Sequence, residues 1–129
     1  MDFKDLLGKT LTSITVNDEK DEIVFKDTEG HTYEMWHSQD CCENVAIEDV
    51  NGDLNDLIGS PLLVAEEAVS DKPPLGVVQE YEPDSQTWTF YKLATVKGHV
   101  DIRWFGTSNG YYSERVSFRD ADDPNEYRY

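Results

Sequence analysis

The sequence has no lysine or arginine over a long central stretch. No basic residue occurs between Lys26 and Lys72, although the 129-residue chain contains 11 of them. The same stretch holds 12 of the 27 aspartates and glutamates, so it supplies 12 of the 16 net negative charges. A domain with one strongly negative region repels nucleic acid and anionic membranes, and it attracts basic protein surfaces or cations.

Cysteines and long apolar runs are also scarce. The two cysteines, Cys41 and Cys42, are adjacent and cannot join distant segments, so we expect reduced thiols rather than a secreted disulfide framework. No apolar run approaches the roughly 20 residues that span a bilayer, and the first residues lack the features of a signal peptide. We therefore expect a cytosolic protein, with no membrane contact.

Catalytic motifs are missing as well. The sequence contains no glycine-rich phosphate loop, no serine elbow and no helical pair of metal ligands. A cysteine nucleophile with His37 or His99 as its base is the obvious enzymatic hypothesis, because a thiolate needs a nearby imidazole. Any chain with two cysteines and three histidines permits that hypothesis. We favour a non-enzymatic protein and predict no cofactor.

The composition nevertheless predicts a folded core. Hydrophobic residues make up 38% of the chain and aromatic residues 12%, which a disordered acidic chain would lack. The length suits one domain. We predict a single globular domain over residues 1–119 and a frayed tail over residues 120–129.

Apolar residues alternate with polar ones at the two-residue period of β-strands. The last two predicted strands place Val100, Ile102 and Trp104 on one face, and Val116 and Phe118 on another, so both strands have a buried face. We expect the three tryptophans to pack in the core. The pattern predicts strands over residues 11–16, 21–26, 31–37, 62–69, 87–96, 99–105 and 111–118.

Two segments resemble each other and predict two related units. Residues 2–11 and 53–62 share five of ten positions, including two aspartates and a glycine. The first aspartate can cap a helix and the glycine can end it in a left-handed conformation. We therefore predict an α+β fold, mostly antiparallel sheet, in which each of two short capped helices precedes a meander.

Two groups of residues are candidate metal ligands. Asp49, Asn51 and Asp53 match the first three oxygen positions of a helix-loop-helix calcium site, but Leu54 and Ser60 stand where glycine and glutamate are required. His37, Cys41 and Cys42 offer the ligand types that zinc prefers, although adjacent cysteines rarely chelate one ion. The alternative interpretations are a turn in which Asp53 caps a helix, and ordinary packing of the cysteines.

The acidic stretch remains the clearest signal. We expect its carboxylates to gather into one continuous patch, and carboxylates on neighbouring strands could approximate the charge spacing of a nucleic-acid backbone. One tyrosine of the Tyr111–Tyr112 pair should be exposed, since neighbours on a strand face opposite sides. The predicted partner-binding residues are Asp40, Glu43, Glu48, Asp49, Asp53, Asp56, Tyr111 and Tyr112.

Several blocks also carry a family resemblance. They include Asp-Cys-Cys-Glu-Asn-Val at residues 40–45, Asp-Leu-Ile-Gly-Ser-Pro at 56–61, and Ser-Asn-Gly-Tyr-Tyr-Ser-Glu at 108–114. From about residue 5 to residue 119 the chain resembles a family of small, uncharacterised acidic proteins encoded by phages and prophages. The resemblance carries no family function. It implies a phage setting, in which small acidic proteins act on host nucleases and defence complexes.

The favoured hypothesis is therefore a phage or prophage interaction protein whose acidic face binds a basic surface of a host protein. It would do so as a nucleic-acid-mimicking inhibitor of a nuclease or defence complex. The alternatives are a metal-binding or hydrolytic domain centred on residues 37–53, and a phage structural or assembly protein.

Overall fold

The computed structural model describes residues 1–128, which form two antiparallel sheets of four strands each. Two four-residue 3-10 helices, Phe3–Leu6 and Leu54–Leu57, precede β1 and β5 respectively. The strands are β1 (Leu11–Val16), β2 (Glu22–Asp27), β3 (Thr32–Trp36), β4 (Asn44–Asn51), β5 (Val64–Ser70), β6 (Ser85–Thr95), β7 (Gly98–Ser108) and β8 (Ser117–Asp120).

The prediction of an α+β fold with two short capped helices is wrong. The expected caps are present: the Asp53 side chain accepts the Asn55 amide at 2.9 Å, and Gly8 and Gly59 have φ near +85°. They lie too close together for an α-helix, which needs several residues beyond its first turn. Each segment makes one tight turn, closed at 3.0 Å by the amide of Asp56 on the Asp53 carbonyl in the second case.

The two predicted meanders are present, and they exchange strands. The strand order is β1-β2-β3-β8 in the first sheet and β4-β7-β6-β5 in the second. Each sheet therefore consists of three consecutive strands and a fourth, which pairs with the third strand of the meander. β4 follows the first meander but completes the second sheet, whereas β8 follows the second meander and completes the first.

The two similar segments also contact each other. Thr10 bridges Pro61 in antiparallel fashion, and the Gly8 amide donates to the Leu62 carbonyl at 2.8 Å. These contacts join the starts of the two units and bring the sheets together. The topology places each of the two similar segments before a three-stranded meander.

β4 was not predicted, and the strand predicted over residues 111–118 is reduced to β8. In β4, Val45 and Ile47 are buried on one face, but a bulge at Glu48 shifts the register before Asp49 pairs with Arg103. The extra residue interrupts the two-residue period on which a sequence prediction depends. Residues 109–116 instead cross from β7 to β8 without joining a ladder.

The core lies between the inner faces of the two sheets. Val100, Ile102 and Trp104 are fully buried there, as predicted. All three tryptophans are buried, but of the three it is Trp104 that belongs to this core. Trp88 packs on the outer face of the second sheet, with its ring 4.6 Å from that of Phe105, and Trp36 packs under the guanidinium groups of Arg119 and Arg128. The larger members of the core are Leu6, Leu11, Ile23, Phe25, Tyr33, Met35, Leu57, Leu62, Tyr91 and Leu93.

The segment after β8 contacts the first sheet. Arg128 forms ion pairs with Glu22 and Glu34, and the Met1 amino group forms one with Glu126. The predicted frayed tail also includes Tyr129, which lies outside the described residues. Within residues 1–128, no helix has the length and apolar character needed to cross a membrane.

Candidate functional site: the acidic edge and the Glu43 cluster

Asp27, Glu29 and Glu34 of the acidic stretch lie on or between β2 and β3 of the first sheet, and the later carboxylates divide between the two edges of the second sheet. β4 forms one edge and β5 the other, with β7 and β6 between them. Glu66 and Glu67 lie on β5, on the far side from the carboxylates of β4. The prediction of one continuous patch is therefore wrong, because the linear sequence does not show that two strands intervene.

Basic side chains separate the two acidic edges. Arg103 on β7 approaches Glu48 on β4, with 2.7 Å between Nε and the carboxylate oxygen. Lys92 on β6 stands in register between Asp101 of β7 and Glu66 of β5. Charges of alternating sign thus cross the outer face of the second sheet and neutralise its centre.

Five carboxylates remain along the β4 side, and we call them the acidic edge: Asp40, Glu48, Asp49, Asp53 and Asp56. Asp40 precedes β4, Asp49 lies on it, and Asp53 and Asp56 follow it. Asp40, Asp49 and Asp53 are exposed and Asp56 is half-buried. Eight residues of strand span roughly 26 Å, so the acidic edge is a long, narrow track.

Glu43 was predicted to bind a partner, but its side chain is completely buried. Its carboxylate accepts the backbone amides of Asp40 at 2.6 Å, Cys41 at 3.2 Å and Cys42 at 3.1 Å. His37 Nε2 lies 2.9 Å from the same carboxylate. We call these residues the Glu43 cluster. Glu43 therefore holds the β3–β4 loop together and is not available for docking.

The hydrogen bonds of the Glu43 cluster keep the Glu43 carboxylate ionised. Burial opposes ionisation, but the Asp40 amide, His37 and further amide donors outweigh it and lower the pKa of Glu43 to about 2. His37 Nδ1 lies 2.6 Å from the Arg115 carbonyl, which can only accept. His37 thus links the β3–β4 loop to the segment that precedes β8.

The candidate metal ligands are not brought together. Cys41 and Cys42 are bonded to each other, whereas the sequence predicts free thiols. His37 is occupied by Glu43 and the Arg115 carbonyl. Within residues 1–128, no three His, Cys, Asp or Glu side chains are placed to hold a metal ion.

The predicted calcium segment is a turn. Asp53 caps the second 3-10 helix, as in the alternative interpretation, and Gly52 makes the turn with φ of +120°. The enzymatic hypothesis with His99 as the base also lacks its geometry. His99 lies where β7 begins, whereas the cysteines precede β4, whose first residue Asn44 pairs with Thr107 near the end of β7.

Tyr111 and Tyr112 lie in the segment after β7, outside any strand. Tyr111 is 84% exposed and Tyr112 is half-buried, and their rings meet edge to face at 5.0 Å. One exposed tyrosine was expected, although the strand that should have separated them is absent. Asn44 at the start of β4 pairs with Thr107 near the end of β7. The segment that carries Tyr111 therefore leaves β7 at the same end of the sheet at which Asp40 precedes β4.

Sequence reasoning missed Arg115 and Glu114, which lie in the same segment. Glu114 is buried and accepts the hydroxyls of Thr87 at 2.7 Å and Ser108 at 2.5 Å. Glu114 and Arg115 do not belong to any recognisable sequence motif. Their neighbours become known only from the path of this segment across the second sheet. Gly106 of β7 is what permits the crossing, since a Cβ there would lie 3.0 Å from that of Glu114.

Comparison with known proteins gives one result. Residues 4–118 match the family described as a domain of unknown function, DUF7448, which spans β1 to β7 and reaches into β8. No curated protein and no solved structure matches the chain. The chain belongs to the DUF7448 family.

Proposed function

We propose that this is a non-enzymatic interaction protein whose acidic edge binds a basic surface of another protein. The observation that supports this proposal is the state of four carboxylates, Asp40, Asp49, Asp53 and Asp56. None of them forms an ion pair with another residue between 1 and 128, whereas Glu48 beside them pairs with Arg103. Unpaired charges of one sign along an edge strand attract a surface of the opposite sign.

The nature of the partner follows from the resemblance and from the shape of the acidic edge. A phage or prophage protein acts in a host cell, and host nucleases and defence complexes carry basic grooves for nucleic acid. Same-face residues on a strand repeat about every 6.6 Å, and a narrow acidic track can occupy such a groove. We propose a host nuclease or defence complex as the partner, with nucleic-acid mimicry as the mode of binding.

The test compares two variants of equal charge. The edge variant carries Asp→Asn at residues 40, 49, 53 and 56, and asparagine retains the capping ability needed at residue 53. The control variant neutralises four exposed carboxylates elsewhere, at Glu19, Asp71, Glu80 and Asp84. Tagged forms of both, and of the wild type, are used to capture partners from host lysate at low and high salt, and affinities for any captured protein are measured.

We expect wild type and control to bind the same basic protein, and the edge variant to bind it roughly tenfold more weakly or worse. Binding should also weaken steeply with salt, because exposed charges are screened. Equal loss in both variants would mean that only total charge matters. Undiminished binding by the edge variant would reject the acidic edge as the docking surface.

A further inference from the structure

A cleft opens where the two sheets separate beside β5. A cavity of about 410 Å³ lies next to one of about 250 Å³, and Glu67, Arg115 and Val116 line both. The larger cavity falls within the size range of small-molecule sites. It lies at the β5 side of the second sheet, away from the acidic edge on β4.

The inner face of the second sheet changes from apolar to charged at this cleft. Ala65 of β5 is buried in the core, but Glu67, two residues further along the same face, is exposed. Glu67 stands in register with Tyr91, whose ring packs 4.6 Å from that of Phe3. A charged side chain thus occupies an inward-facing position beside the aromatic core, where simple packing would favour an apolar residue.

The two charged side chains that line both cavities are unpaired. Arg115 and Glu67 form no ion pair with each other or with any other residue of the described chain, 1–128. Glu114, which lines the larger cavity, has two hydroxyl donors but no cationic partner in the same part of the chain. Groups of both signs therefore face one cavity without neutralising each other.

The Tyr91 hydroxyl is a further unsatisfied group at this place. It is buried and makes no hydrogen bond of normal geometry. Burial and the nearby Glu67 carboxylate raise its pKa, and Arg115 acts in the opposite direction. Tyr91 lines neither cavity, but it stands in register with Glu67, which lines both. Buried polar groups without partners are rare in folded proteins, and the neighbouring Glu67 carboxylate is the acceptor on offer to this hydroxyl.

We propose that this cleft binds a small zwitterion of the α-amino-acid type, with its carboxylate on Arg115 and its ammonium group on Glu67. A guanidinium group recognises a carboxylate through two parallel hydrogen bonds. Val69 and Val116 offer apolar contacts to a side chain. A simple anion would be repelled by the net charge of −16, and a simple cation by Arg115.

The backbone around Arg115 is held in place. Its amide donates to the Ser113 hydroxyl at 3.1 Å, and its carbonyl lies 2.6 Å from His37 Nδ1 of the Glu43 cluster. The Glu43 cluster thus fixes the segment that carries the cationic side of the cleft. The proposal does not depend on the acidic edge, since the two sites lie on opposite sides of the second sheet.

The test uses the twenty amino acids one at a time, at up to about 20 mM, on the full-length protein labelled for NMR. We expect at least one to cause saturable shifts of the Glu67, Thr89 and Arg115 amides. Its N-acetyl derivative lacks the ammonium group and its amide lacks the carboxylate. Each should bind at least about tenfold more weakly, because each loses one charged contact.

Two variants and one control complete the test. Glu67→Gln and Arg115→Gln should each weaken binding at least about tenfold. Glu66→Gln, the neighbouring position on the outer face of β5, should leave it unchanged. The absence of saturable shifts with all twenty compounds would overturn the proposal. So would tight binding of the amide derivative, or an equal effect of the changes at residues 66 and 67.

Discussion

The hydrogen bond between Tyr33 and Asp27 gives the sharpest prediction of stability. The Tyr33 hydroxyl donates to the Asp27 carboxylate at 2.8 Å, and the two residues are 1% and 4% exposed. Tyr33→Phe removes the donor and leaves the ring in place. A buried hydrogen bond to a charged acceptor contributes about 2 kcal/mol. At about 2 cal/mol/K of unfolding entropy per residue, this loss lowers Tm by roughly 7 °C.

The effect of Tyr33→Phe should depend on pH in a defined direction. Burial opposes ionisation of Asp27, but the Tyr33 hydroxyl and the amides of His31 and Glu29 outweigh it and lower its pKa. A carboxylate with a lowered pKa in the folded state stabilises the protein above its unfolded pKa of about 4. This contribution is lost as the pH falls through the folded value. The difference between wild type and variant should therefore be full at neutral pH and shrink below about pH 4.

Urea denaturation at pH 7 and at about pH 3 measures the difference in free energy of unfolding between wild type and variant, and how that difference changes with pH. Tyr81→Phe is the matched control, because Tyr81 is 78% exposed and the same hydroxyl is removed from a residue largely in contact with water. We expect almost no change in the control at either pH. Equal stability of the two variants at pH 7 would refute the reasoning, as would a difference that grows when the solution is acidified.

Three further predictions concern the loops. Glu43→Gln should destabilise the protein at neutral pH, with a deficit that shrinks between about pH 4.5 and the folded pKa of about 2, as followed by urea titration. Gly52→Ala should lower Tm more than Gly30→Ala does. Both glycines have positive φ, but of the two it is at Gly52 that a Cβ would lie 2.6 Å from a carbonyl oxygen. Cys41 and Cys42 should resist alkylation in denaturant until a reductant is added, as checked by intact mass.

The strands were predictable where the apolar alternation is uninterrupted. β1 was predicted to the residue, and β2, β3, β6 and β7 to within a few residues at each end, since each places apolar side chains on one face. β4 escaped prediction because its bulge breaks the alternation at Glu48. The helices were overpredicted because capping residues mark where a turn begins but do not say how long it continues.

The candidate site was less predictable, because the sequence shows which residues are charged but not where they lie in the fold. Asp27 and Glu43 count as acidic residues in the sequence, yet both are buried and bound by amides. Glu66 and Asp49 are close in the acidic stretch, yet they lie at opposite edges of one sheet. Burial and strand order depend on contacts between residues far apart in sequence, and no local pattern records them.

Comparison of the two exchanged strands supports the choice of the β4 side as a docking surface. β8 completes the first sheet as β4 completes the second. Around β8 the arginines are paired, although Asp120 of β8 forms no ion pair within residues 1–128: Arg119 donates to Glu34 at 2.7 Å, and Arg128 pairs with Glu34 and Glu22. Along the acidic edge, four carboxylates are unmatched. Charges can prevent an edge strand from pairing with other chains whether they are positive or negative. A surface that binds a basic partner must be negative, as the acidic edge is.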